Sequence, residues 1–123
     1  TKVGYLTVTD DSDVDSMRDN MVSARGFFSI SGTTVTKIEG FNFDSVSRVS
    51  AGKYRVTFTD SLDTLYYATS ISMIETSNNQ VRLEKITSQT TGYFEFTVHD
   101  GSSNTDNAEA ATFIVFGTPS TVV

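Results

Sequence analysis

The chain has 123 residues, a net charge of −6 and no cysteine. One domain of this length buries roughly two thirds of its unfolded surface, so an ordinary apolar core suffices without disulfide staples. The acidic balance (pI near 4.5) argues against nucleic acid and against an anionic membrane surface, because both need clustered Lys and Arg.

The lack of cysteine rules out disulfides and thiolate metal sites and leaves the redox compartment open. No apolar run reaches the roughly 20 residues that span a bilayer, and no basic-then-apolar leader is present. The chain opens on Thr1 rather than Met, as a fragment or processed product would. Nine Phe, five Tyr and many Thr and Ser favour strands, since β-branched and aromatic side chains fit a pleated surface.

In chain order, residues 2–9 (KVGYLTVT) form the first strand-like segment. Residues 10–20 (DDSDVDSMRDN) hold five acids and read as a loop with at most one helical turn, because Asp and Ser bond nearby backbone N–H groups. Together residues 1–22 form a strand and an acidic connector. Strands are then expected at 22–31, 35–43, 45–50, 54–59, 65–74, 81–87, 93–99 and 111–117, with residues 118–123 as a tail. Phe28 and Ile30, and again Tyr54, Val56 and Phe58, recur on every second position and so share one strand face. Gly32, Gly52, Asn78–Asn79 and Gly92 mark turns. In 93–99, Phe94, Phe96 and Val98 alternate with Glu95, Thr97 and His99. The continuous apolar run ATFIVFG at 111–117 predicts a central strand buried on both faces. In 81–87, Val81, Leu83 and Lys85 share one parity and Arg82, Glu84 and Ile86 the other. Strand-sized segments every ten residues or so, with no helical period, predict an all-β antiparallel sandwich or barrel of about eight or nine strands over residues 23–117.

Candidate chemistry is sparse. Asp11, Asp13 and Asp15 alternate like the start of a calcium loop, but an EF-hand needs Gly at its sixth position and Glu at its twelfth. Those positions hold Ser16 and Val22, so the three acids are at most a weak site for a hard cation and otherwise a solvated loop. His99 is the sole histidine, and no nucleophile elbow or second acid-base group is nominated beside it. One His cannot build a zinc site of three or four N or S ligands. Paired carboxylates for glycoside hydrolysis need a set separation in a cleft, which a sandwich of this size has little room for. No enzyme, cofactor or metal is expected. Tyr66, Tyr67 and Tyr93 have faces that stack on sugars. Tyr67 and Tyr93 read as core or packing residues, and Tyr66, of opposite parity, points outward. Lys37, Arg48, Lys53, Arg55, Arg82 and Lys85 read as a solvated face.

The segments ARGFFSISGTTVTKIEGFNFDSVSRVSAGKYRVTFTDSL, LYYATSISMI and FEFTVHDGSSNTDNAEAATFIVFG resemble a domain near the C-termini of tailed-bacteriophage fibre proteins. The shared features are the Ala24-Arg25-Gly26-Phe27 opening, the Ser45-to-Phe58 middle and the Ile114-to-Gly117 close. The chain lacks the family's usual Trp near Phe27 and carries Ser29 and Ser31 where Asn is usual.

The resemblance implies a β-sandwich assembled as a homotrimer at a fibre tip on a virion, outside the cell, beside other virion proteins. Some of Phe27, Phe28, Phe41, Phe43, Phe94, Phe96, Phe113 and Phe116 would then fill a subunit interface. The implied function is host-surface recognition, a non-catalytic adhesion to a cell-surface polysaccharide or outer-membrane protein. The alternative is a purely structural part that decorates the capsid or joins fibres. Recognition usually sits on loops carried by a rigid scaffold, and the candidate loops are 60–64, 77–79 and 100–109. The candidate residues are Ser102, Ser103, Asn104, Asp106 and Asn107, with Asn78, Asn79 and Tyr66.

Overall fold

The structure, a computed structural model, describes residues 21–76, 81–101, 103–105 and 108–117. The expected strand at 2–9, the acidic loop with Asp11, Asp13 and Asp15, and the tail therefore lie outside the described residues. Eight strands and no helix are present among the described residues: β1 (Val22–Ser31), β2 (Thr34–Phe41), β3 (Ser45–Ser50), β4 (Lys53–Thr57), β5 (Ala68–Ile74), β6 (Leu83–Gln89), β7 (Tyr93–His99) and β8 (Ala110–Phe116). They form two four-stranded antiparallel sheets, sheet A in the order β2-β1-β8-β5 and sheet B in the order β3-β4-β7-β6. The chain is an all-β sandwich.

Aromatic rings fill the space between the sheets. Phe28 and Phe113 point in from sheet A, and Tyr54, Phe94 and Phe96 from sheet B; all are at most 2% exposed. Phe43, on the crossing from β2 to β3, wedges between them. Its ring meets that of Phe113 edge-on at 5.0 Å and that of Phe28 at 6.4 Å. Phe94 meets Phe113 at 5.4 Å and Phe28 meets Phe96 at 6.1 Å, so both sheets are stitched ring to ring. Such tilted and edge-on pairs each contribute about 0.5–1.5 kcal/mol beyond their area. Every buried side-chain N or O among the described residues has a hydrogen-bond partner.

Three local devices set where strands end. Asn42 adopts φ 52°, which Asn tolerates better than most residues, and this stops β2 at Phe41 rather than Phe43. The Asn42 side chain donates to the Ser23 and Asp60 carbonyls, both at 3.0 Å, and accepts from the Asp60 N–H at 2.6 Å. The strand expected from Leu65 begins only at Ala68, because the Gln89 amide replaces a ladder there. Its Nε2 donates to the Leu65 and Tyr67 carbonyls at 3.0 and 3.1 Å. Tyr67 is buried, and its hydroxyl donates to the Thr90 carbonyl at 2.8 Å with the Tyr93 carbonyl 2.9 Å away. Burial pushes that phenol well above its ordinary pKa.

Two sequence expectations are corrected, and a third point, the inward face at 81–87, is decided. The run at 111–117 is central in its sheet but buried on one face only. Ala111, Phe113 and Val115 are buried, whereas Ile114 and Phe116 are exposed, since nothing described covers that outer face. In β6 it is Ile86 that packs on the core, while Leu83, and Val81 just before the strand, face outward at 58% and 76% exposure. The basic residues are not one solvated face: the Arg82 side chain is 4% exposed and bonds Glu75 at 2.7 Å.

Gly26 lies against the wedge. A Cβ there would overlap the rings of Phe43 and Phe113, which have no room to retreat. Gly26→Ala is expected to lower stability by about 1–3 kcal/mol through overpacking, read as a lower urea midpoint by circular dichroism. The Tyr67 phenol makes a second prediction. The unfolded chain releases that proton near pH 10 and the folded chain only at higher pH, so stability falls as pH rises past about 10. Tyr67→Phe loses about 1 kcal/mol at pH 7 with the hydrogen bond, yet should lose less than the unmodified chain between pH 9 and 11 in urea titrations.

Candidate functional site

The sandwich has two distinct ends. At one, the described chain enters and leaves: the Gly117 N–H donates to the Met21 carbonyl at 3.3 Å and the Ser23 hydroxyl donates to the Gly117 carbonyl. The loop 60–64, Tyr66 and the 90–92 turn belong to this end, where the Leu62 N–H donates to the Thr91 carbonyl at 2.7 Å. At the opposite end lie the β1–β2 and β3–β4 turns and the described residues of the connections from β5 to β6 and from β7 to β8. The Ile30 N–H donates to the Glu109 carbonyl at 2.8 Å, and the Thr76 N–H and hydroxyl both donate to Glu109 Oε2, at 2.9 and 2.6 Å.

The described residues of the 100–109 segment are pinned, although its composition reads as plain loop. The Asp100 N–H donates to the Ser103 carbonyl and the Ser103 N–H to Asp100 Oδ1, both at 3.1 Å, closing a turn over Gly101 at φ 101°. The Thr105 N–H then donates to the Val98 carbonyl at 2.9 Å, and the Val98 N–H to the Gly52 carbonyl at 2.7 Å. Gly52 has φ 66°, and a Cβ on it would lie 2.5 Å from the Thr105 nitrogen, so only glycine lets the two chains approach. Thr105 is buried at this contact, and Ala108 is buried in the core.

The result is a groove of about 440 Å³ on the outer face of sheet B, lined by Leu83, Glu84, Lys85, Thr87, Thr97, His99 and Asn104. Cross-strand partners share a face: Leu83 stands opposite His99 and Lys85 opposite Thr97. His99 bridges to Asn104 through the backbone, and His99 Nδ1 accepts the Gly101 N–H at 3.1 Å. In the neutral ring the proton therefore sits on Nε2. The groove offers an ammonium, a carboxylate, two hydroxyls, an amide and an imidazole beside the apolar Leu83.

Next to the groove the same face carries a charged network. Arg55 Nε and Nη2 reach Glu95 Oε2 at 2.7 and 2.6 Å, and Lys53 Nζ lies 3.8 Å from Oε1. The Arg55 guanidinium also covers the Tyr93 ring at 4.1 Å from its centroid. These neighbours bury Glu95 to 7% exposure on what alternation marks as the solvent parity.

The structure sorts the expected site residues. Ser103 and Asn104 are exposed at the groove end, and Asn104 lines the groove. Tyr66 points outward as expected, at 86% exposure, but at the other end, a seven-residue strand or roughly 20 Å away. Asn78, Asn79, Ser102, Asp106 and Asn107 lie outside the described residues; those flanking them, Thr76, Val81, Ser103, Thr105 and Ala108, belong to the groove end. Lys85, Thr97 and Leu83 were not singled out, since adjacency across β6 and β7 depends on register. Among the described residues no group of three or more His, Cys, Asp or Glu is placed to hold a metal.

No protein-family model, curated protein or solved structure matches this chain. The charged network on the same face carries a stability prediction. Glu95→Ala strands Arg55 and Lys53 and is expected to cost about 1–2 kcal/mol. That is less than the 3–5 of a wholly buried pair, because the Arg55 side chain is 40% exposed. A urea titration against the unmodified chain checks this.

Proposed function

We propose that this chain is a phage virion fibre-tip domain that recognises the host surface by non-catalytic adhesion to a cell-surface polysaccharide or outer-membrane protein. The observation that carries this reading is the polarity of the sandwich. The described chain enters and leaves at one end, side by side, while the described residues of the expected 100–109 loop, and Thr76 just before the expected 77–79 loop, lie at the other, next to the groove of Asn104, His99 and Lys85. Held by its entry end, the domain presents the groove end outward. The likeness of Ala24 to Gly117 to tail-fibre domains supplies the virion, the extracellular setting, the neighbouring virion proteins and the homotrimer. The net charge of −6 keeps nucleic acid out of the list of partners.

The groove suits a hydroxyl-rich ligand. Amide, imidazole, hydroxyl and ammonium groups converge on one opening with an apolar wall at Leu83. A purely structural virion part is the second reading, and the exposed apolar outer face of sheet A favours it. Binding to a panel of bacterial cells and to a glycan array separates the two. Adhesion that falls roughly tenfold in Asn104→Ala with Lys85→Ala, and is untouched by Tyr66→Ala, supports recognition at the groove. Adhesion lost with Tyr66→Ala alone places the contact at the wrong end, and no adhesion to any host surface leaves the structural reading.

A further inference from the structure

The outer face of sheet A carries large apolar side chains that nothing among the described residues covers. Arg25 of β1 stands between Phe41 of β2 and Ile114 of β8, while Phe116 stands between Val22 and Ala68. Phe27 is one row further along β1. Ile38 is the extra residue of a bulge where Phe27 pairs with Glu39 and Phe28 with Lys37. Ile38 and Phe41 are 58% and 54% exposed, and Ile114 and Phe116 are 41% and 39%. Exposed apolar residues scattered singly need no partner, but Ile38 and Ile114 line one groove of about 470 Å³ with Phe27, and Phe41 and Phe116 extend the same face on β2 and β8. Their exposed area is on the order of 400 Å², about half of what one protein gives to a standard interface, with the polar rim still to be added.

The charges on this face point to the occupant. The ionised groups lining the groove are Arg25 and Glu39, paired at 3.3 Å and both well exposed. The patch is thus locally neutral in a chain of net charge −6. A strongly acidic or basic partner finds no complement here. A second copy does, since Arg25 of one chain can meet Glu39 of another without like charges opposed. The edge strand β2 is a poor place for copies to join by strand addition. Its bulge at Ile38, between Lys37 and Glu39, twists and charges the edge in the way that blocks pairing.

We propose that copies of this chain assemble through the outer face of sheet A, with Phe41, Ile114, Phe116, Ile38 and Phe27 at the centre of the contact and Arg25 and Glu39 exchanging partners between chains. It rests on the fibre reading only for the number of copies, three.

Light scattering coupled to size exclusion tests it on the full chain. The unmodified protein is expected at three times the 13.4 kDa chain mass. Phe41→Glu with Ile114→Glu should lower that mass threefold while the circular dichroism spectrum stays that of a β protein. Phe41→Ser with Ile114→Ser gives the same comparison without added charge, should the first variant fail to fold. Val49→Glu, an equally exposed position on β3, should keep the assembled mass. An unmodified chain that runs at 13.4 kDa, or folded variants that stay assembled, overturns the proposal. Host adhesion is read separately: a monomer that still adheres sinks this interface alone, and an assembled chain that adheres to nothing sinks the recognition reading alone.

Discussion

The molecule depends on the ring of Phe43 standing between two sheets. It belongs to neither, because it follows Asn42, whose positive φ swings the chain out of β2 and toward β3. From that position it touches Phe28 and Phe113 on one sheet, and through them reaches Phe94 and Phe96 on the other. The contact is possible because Gly26 leaves the space that any side chain would fill. The Asn42 side chain locks the same corner by bonding both Ser23 and Asp60. One corner thus joins the opening strand, the crossing between sheets and the loop before β5.

The two ends of the sandwich are built by different means, and that difference matters for function. At the entry end, side chains do the joining: the Gln89 amide, the Tyr67 phenol and the Asn42 amide each cap backbone groups that a ladder would otherwise satisfy. At the groove end the backbone does it, with the 100–105 turn laid on Val98 and Gly52. Backbone pairing holds the path of that segment while leaving the side chains of Ser103 and Asn104 uncommitted to the core. A recognition surface needs that combination of fixed main chain and free side chains.

Much of the fold was legible because strand periodicity survives in the residues that face the core. The bounds at 22–31, 45–50 and 93–99 match β1, β3 and β7, where alternation is clean or turn residues are strong. The failures share one cause. Parity says that two faces differ, and not which face is inward. Val81, just before β6, and Leu83 within it point to solvent while Ile86 meets the core, and register with Phe96 decides that. The run at 111–117 reads as doubly buried, yet among the described residues nothing covers the far side of its sheet. Glu95 and Arg82 are buried by ion pairs formed across strands or around a connection, which no local pattern encodes. For the site, Asn104 was within reach of composition alone, whereas Lys85, Thr97 and Leu83 become neighbours only once β6 pairs with β7.

The two outer faces differ in what it costs to cover them. A partner laid over sheet B would have to strip water from Lys53, Arg55, Glu95, Lys85 and His99, and desolvating charges costs more than apolar contact returns unless each is re-paired. Over sheet A the partner meets Phe27, Ile38, Phe41, Ile114 and Phe116, with one neutral ion pair to accommodate. Burial of broad area is cheap on sheet A and expensive on sheet B. The reverse holds for a small, hydroxyl-rich ligand, which gains directional hydrogen bonds from the groove on sheet B and nothing specific from bare phenyl rings. The same sandwich can therefore use one face to hold copies of itself together and the other to meet something foreign, without either task competing for the other's residues.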